Sequence, residues 1–189
     1  MRHGRIHWYS PDELSAEQRA IYDGVLAKYG SEPPFELVDA DGRLHGPFNA
    51  MLAAPGVGAA LQHLSAAVGA RTSLSARIRE IAILTVATAR ASAFEWSAHR
   101  GLAAEAGLAE SEIAALGGHA TPESFGPADR AALDFTRALL RDRDTSAACH
   151  TAAEEHFGEA GVVELVTLVG YYDLLATLLR ALRVPLPED

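Results

Sequence analysis

Apolar residues recur along this chain at intervals of three and four, the period of helices with one buried face. Runs that alternate β-branched and polar residues between tight turns are nearly absent, so an all-α fold is expected. Ser15-Ala-Glu-Gln18 reads as a capping box opening a helix that closes near Gly30. Residues 31–46 hold two prolines, two glycines and several acids, and read as an ordered loop or lid. A short helix is expected from Asn49 to about Ala54, stopped at Pro55-Gly56. The next runs from about Val57 to Val68, with Val57, Leu61, Leu64 and Val68 on one face. Ser75 caps a helix to about Ala91, with Ile78, Ile81, Ala82, Thr85 and Thr88 in phase. Ala93 to Ala106 form another, with Gly107 placed to end it. Ser111–Leu116, Pro127 to about Arg141, and Ser146–Phe157 complete the amphipathic set. The last helix, from about Gly158 to Leu182, is apolar on most sides.

A helix apolar nearly all round has to be buried. Together with the apolar stretch Ile78–Val86, it exceeds what a small monomer covers easily, so a homo-oligomer is expected. The chain of 189 residues fits one domain. Its expected organisation is an N-terminal helix and lid, residues 1–46, and one compact helical unit, residues 47–187. No uninterrupted apolar run reaches the ~20 residues of a bilayer span. Met1-Arg-His-Gly-Arg-Ile-His-Trp8 is basic but lacks the apolar core of a secretory signal. The expectation is a cytoplasmic protein without a membrane partner.

The net charge of −9 argues against nucleic acid as a partner, because phosphate binding requires a basic surface. Arg137, Arg141 and Arg143 alternate with Asp134, Asp142 and Asp144, the pattern of a solvated helix end. The single cysteine, Cys149, can form neither an internal disulfide nor a redox pair. Its small-residue surroundings suggest a half-buried, inert thiol.

One region breaks the apolar pattern. Glu80, Glu95 and His99 sit within two helical segments that otherwise favour burial, and Ser92, Glu95 and His99 are spaced by three and four residues, on one helix face. Ionisable groups on such a face are costly unless paired or used. Singly, each is more often structural: Glu80 beside Arg77 and Arg79 as a surface pair, Glu95 with Arg100 or His99 as a local helix pair, His99 as a packed histidine.

Together they carry a resemblance. Leu74–Leu116 resembles the carboxymuconolactone decarboxylase and alkylhydroperoxidase-like family, extending outward through Gly46–Leu52 and Leu165–Tyr172, from about Pro47 to Pro187. Its peroxidase members carry a Glu, then twelve residues later Cys-x-x-Cys, then His four after the second Cys; here Glu80, Ser92, Glu95 and His99 hold those positions. The flanking Glu and His match and both thiols are missing. Thiol-free relatives often carry adjacent histidines there, whereas this chain has Ala98 before His99. The resemblance implies an all-α helical bundle of this family, assembled as a homotrimer or homohexamer. It implies a carboxy-lyase-like enzyme of aromatic degradation, acting on a small anionic lactone or unsaturated acid by decarboxylation or proton transfer. His99 would deliver or remove the proton, Glu80 would orient and charge it, and Glu95 would be a second acid/base group. No cofactor is implied, because a conjugated lactone carbonyl is its own electron sink. A peroxidase is disfavoured, since neither Ser92 nor Glu95 can act as an attacking or resolving thiol. A non-catalytic binding or assembly protein on the same fold stands as the other alternative.

The remaining motifs add little. Gly56-Val-Gly58 lacks the third glycine and the preceding strand of a dinucleotide loop. Glu95 and His99 could offer two zinc ligands, but no third accompanies them in sequence, so no metal is expected. No Gly-x-Ser-x-Gly elbow is present. Glu154-Glu155-His156 reads as solvated. His45 and Asn49, at an expected helix start, are polar substrate-binding candidates. Phe48 and Trp96 are apolar ones, Ser92 could bond a substrate carboxylate or carbonyl, and Tyr171-Tyr172-Asp173 is placed to face a cavity or seam.

Overall fold

The Ser15 hydroxyl accepts the Gln18 N–H, and the Ser15 N–H donates to Gln18 Oε1 at 2.9 Å, closing the first turn of α1 (Ala16–Tyr29) as its sequence predicts. This computed structural model describes residues 1–31 and 33–187; Glu32, within the expected lid, lies outside the described residues. Helices dominate throughout, and the chain is all-α apart from one small hairpin. It divides into two units: residues 1–67 together with the segment from Thr177, and Val68–Ala176. Neither boundary falls at the Gly46/Pro47 division read from the sequence.

The first unit opens with β1 (Arg2–His3) and β2 (Ile6–His7), antiparallel strands that no sequence period announces. Gly4 makes the turn at φ +68°, where a Cβ would overlap the Arg183 and Leu182 carbonyls. Residues 38–44 are ordered by an Asp39–Gly42 turn, an isolated bridge between Val38 and Leu44, and full burial of Leu44. Helix α2 (Gly46–Ala53) starts three residues before the expected Asn49, because Pro47 is accommodated in a first turn. Likewise Pro55 opens α3 (Pro55–Ala70) rather than ending its predecessor. Gly58 lies so close to the Met51 carbonyl that any side chain would overlap it.

In the second unit, α4 (Ala76–Ala89) is capped by Ser75 and packs against α5 (Ala93–Glu105), α6 (Glu110–Gly117) and α7 (Pro127–Asp142). Ile81, Ala82, Leu84 and Val86 are completely buried, so α4 is the central core helix of this unit. Arg77 does not pair with Glu80. Its guanidinium binds Asp129 at 3.0–3.2 Å and Glu112 at 2.9 Å, donates to the Gly107 carbonyl at 2.7 Å, and lies over the Phe125 ring. That leaves Glu80 available to another partner.

Helix α8 (Ala147–Leu182) is interrupted at Gly158 (φ +67°, ψ 173°), which explains the two helices read from the sequence. By length and composition its apolar part could cross a membrane, with mean hydropathy 1.7, a feature that counting uninterrupted runs passes over. Half of that window is buried in the fold. Its acids are also engaged within the unit: Glu164 accepts from Thr72 and Ser73, and Asp173 from Arg90 and Arg143. These are the features of a core helix.

Candidate functional site

A sharp break joins the two helices that carry the site. The Ser92 N–H returns to the Ala87 carbonyl at 2.8 Å and Ala91 adopts φ +50°, so α5 doubles back along α4. This brings Glu80 of α4 against His99 of α5: Glu80 Oε2 lies 2.9 Å from His99 Nδ1. Both side chains are largely buried. With the carboxylate accepting the Nδ1 proton, Nε2 is the ring atom left to exchange protons. Tyr172 of α8 meets the imidazole edge-on, with ring centroids 5.1 Å apart and planes at 90°.

Glu95 lies one helical turn before His99 and is 3% exposed. Among the described residues neither of its carboxylate oxygens has a partner in hydrogen-bonding geometry, and the same is true of the Ser92 hydroxyl. Burial raises the Glu95 pKa to about 8; Ser92 is near enough to oppose the rise, and the negative charge of Asp173 adds to it. The first turn of α5 should favour the anion by roughly 0.3–1 kcal/mol, and burial outweighs that. Glu95 is therefore predominantly a neutral acid at pH 7.

Asp173 is itself buried and clamped, 2.5 Å from Arg90 Nε and 2.7 Å from Arg143 Nη1, and the two guanidinium groups hold its pKa below the usual range although burial pushes the other way. Sequence reasoning pointed to the Tyr171–Asp173 stretch without naming the clamp. Arg90 follows a helix end, and Arg143 belongs to a run that reads as solvent-facing. Arg143 does leave α7 in the left-handed conformation, at φ +58°, and so reaches Asp173.

Trp96 packs over Gly117, whose missing side chain makes room for the indole. The other three candidates belong to the first unit. The Asn49 carboxamide is engaged at both ends, accepting the Tyr9 N–H at 3.1 Å and donating to the His7 carbonyl at 2.9 Å. Phe48 packs with Tyr29 and Phe35. His45 is buried beside His3 and Trp8, with Nε2 3.5 Å from Glu36. Each thus has a packing role in its own unit. Cys149 is half-buried, and burial and Asp134 push its thiol up, away from thiolate chemistry.

Residues 55–138 match the carboxymuconolactone decarboxylase family. The matched segment is less than half of the chain. It contains Glu80, Ser92, Glu95 and His99, while Tyr172 and Asp173 lie beyond it. The fold of the chain is also that of solved structures of low identity. An alkylhydroperoxidase AhpD core protein from Ralstonia eutropha, an uncharacterised peroxidase-related protein, is 16% identical with a TM-score of 0.79, covering 100% of this chain and 94% of its own. A protein of unknown function from Agrobacterium tumefaciens, described as an antioxidant-defence AhpD, is 19% identical with a TM-score of 0.67, covering 75% of this chain and 97% of its own. A cysteine-to-alanine variant of the debrominase Bmp8, in complex with 2,3,4-tribromopyrrole, is 13% identical with a TM-score of 0.73 and covers 99% of this chain and 92% of its own. No curated protein sequence matches the chain.

Proposed function

We propose that the chain is a cofactor-free acid/base enzyme resembling carboxymuconolactone decarboxylase, acting on a small anionic lactone or unsaturated acid. The observation that carries this reading is that two carboxyl groups in opposite environments lie on the helix pair that carries the imidazole. Glu80 is hydrogen-bonded to His99, whereas Glu95 is buried, has no partner in hydrogen-bonding geometry among the described residues, and is held toward its neutral form by burial. A neutral Glu95 also presents no negative charge to an anionic substrate.

In the decarboxylation, the bond to the leaving carboxylate breaks and its electron pair enters the conjugated lactone carbonyl as a dienolate. A proton then adds to the distal carbon. His99, oriented by Glu80, delivers that proton through Nε2, and Glu95 is the second group able to give or restore one. Water resupplies the proton, so one is consumed for each carbon dioxide released. Proton transfer without carbon loss uses the same groups. Ser92 and Glu95 stand where a thiol relay would need its two sulfurs, which disfavours a peroxidase.

The test is carbon dioxide release from 4-carboxymuconolactone by the native chain and by His99→Ala. Release that drops by about 10²–10⁴-fold in the variant supports the reading. No release by the native chain rejects this substrate, and silence toward other small lactone acids leaves the fold as that of a binding protein.

A further inference from the structure

A cavity of about 280 Å³ lies among the C-terminal end of α4, the end of α6 and α7, and none of Glu80, Ser92, Glu95 or His99 lines it. Its wall divides by chemistry. Ala89, Leu116 and Leu140 form an apolar side, and Arg90, Arg137 and Arg141 a cationic one. No lining residue carries a carboxylate.

The arginines are held in place by bonds that use only part of each guanidinium. Arg137 donates to the His119 and Ala120 carbonyls and to the Thr121 hydroxyl; Arg141 grips Asp142; Arg90 binds Asp173. With five N–H donors per guanidinium, Arg137 and Arg141 keep donors beyond these bonds. The carboxylates of Asp142 and Asp173 neutralise two of the three charges, leaving the wall cationic. Thr88 also lines the cavity, and among the described residues its buried hydroxyl has no partner. An unpartnered hydroxyl and guanidinium groups lining one cavity can donate hydrogen bonds to an anion there.

We propose that this cavity binds a small organic carboxylate with an apolar body: the carboxylate on the arginines and Thr88, the body against Leu116 and Leu140. The volume lies near the lower end of ligand pockets, about 300–1,000 Å³, which suits a single-ring acid and excludes a nucleotide. The proposal does not rest on the catalytic reading.

Calorimetric titration of the full chain with benzoate, benzamide and inorganic phosphate tests it. Benzoate should bind, with benzamide about tenfold weaker for want of the charged hydrogen bonds, and phosphate weaker for want of the apolar contact. Ala89→Phe, at an exposed position on the rim, should abolish benzoate binding while the circular dichroism of the fold is retained. Arg141→Gln should weaken it about fivefold. His99→Ala and Glu95→Gln should bind benzoate as the native chain does, which separates this cavity from the proposed catalytic groups. Equal affinity for benzoate and benzamide, tighter binding of phosphate than benzoate, undiminished binding by Ala89→Phe, or no benzoate binding at millimolar concentration would each overturn the proposal.

Discussion

A carboxylic acid kept neutral by its surroundings has a thermodynamic signature at the level of the single residue. Glu95 titrates near 4.5 when unfolded and near 8 when folded, so between these values the folded chain holds the extra proton. Stability should therefore be full below about pH 4.5 and fall as pH rises toward 8. Glu95→Gln, which cannot ionise, should lose this slope and exceed the native chain in urea resistance at pH 9 by up to a few kcal/mol, at about 1.4 kcal/mol per pKa unit. A native chain equally stable at pH 5 and pH 9 would refute it. If Glu95 supplies a proton in the reaction, decarboxylation should also decline as pH rises through about 8, and a rate flat to pH 9.5 would remove Glu95 from that role. Glu80→Gln should reduce turnover about 10²-fold or more, because the amide can present the wrong group to Nδ1. The residues involved were legible in the sequence, since helical spacing alone aligns Ser92, Glu95 and His99. The state of Glu95 was not. It depends on burial and on Asp173, which approaches from a helix 78 residues further along the chain.

Among the elements, Arg77 ties α4 to α6 and α7. The Glu112 it binds also accepts from the Ser124 hydroxyl and the Ala109 N–H, and together these hold its pKa at about 2, with Arg77 the largest influence. Here the folded value is depressed, so the contribution is present above about pH 4.5 and is lost as pH falls toward 2. Arg77→Ala should lower unfolding free energy by roughly 2–4 kcal/mol, since it strands two carboxylates that are mostly buried. A loss of unfolding free energy in urea below ~0.5 kcal/mol would show the cluster to be ordinary surface pairing. Gly117→Ala would place its Cβ 2.8 Å from the Trp96 ring and should cost about 1–3 kcal/mol. The helices themselves were readable wherever a side chain caps them, as at Ser15 and Ser75. The start of α2 was misplaced because Pro47 punctuates and initiates equally well. The N-terminal hairpin was missed because strands of two residues have no period to detect.

For the molecule as a whole, α8 presents an apolar stripe: Val163, Val166 and Leu174 remain 43–62% exposed in the single chain. If the chain self-associates, this stripe is the face that a second copy would cover. Sedimentation equilibrium should give a mass above that of one chain, and Val166→Glu should reduce it; a native chain that sediments as a monomer at tens of micromolar would end that expectation. All-α character was legible because periodicity is local. The return of the chain to its beginning was not, since reading along residues 47–187 cannot reveal it. That return is specific: the Arg5 N–H donates to the Leu182 carbonyl at 2.7 Å, and the Arg5 side chain to the Ala181 carbonyl at 3.0 Å. During synthesis, residues 68–176 emerge before either acceptor exists. The second unit can accordingly collect its core first, while Arg5 waits for the Ala181 and Leu182 carbonyls that hold it.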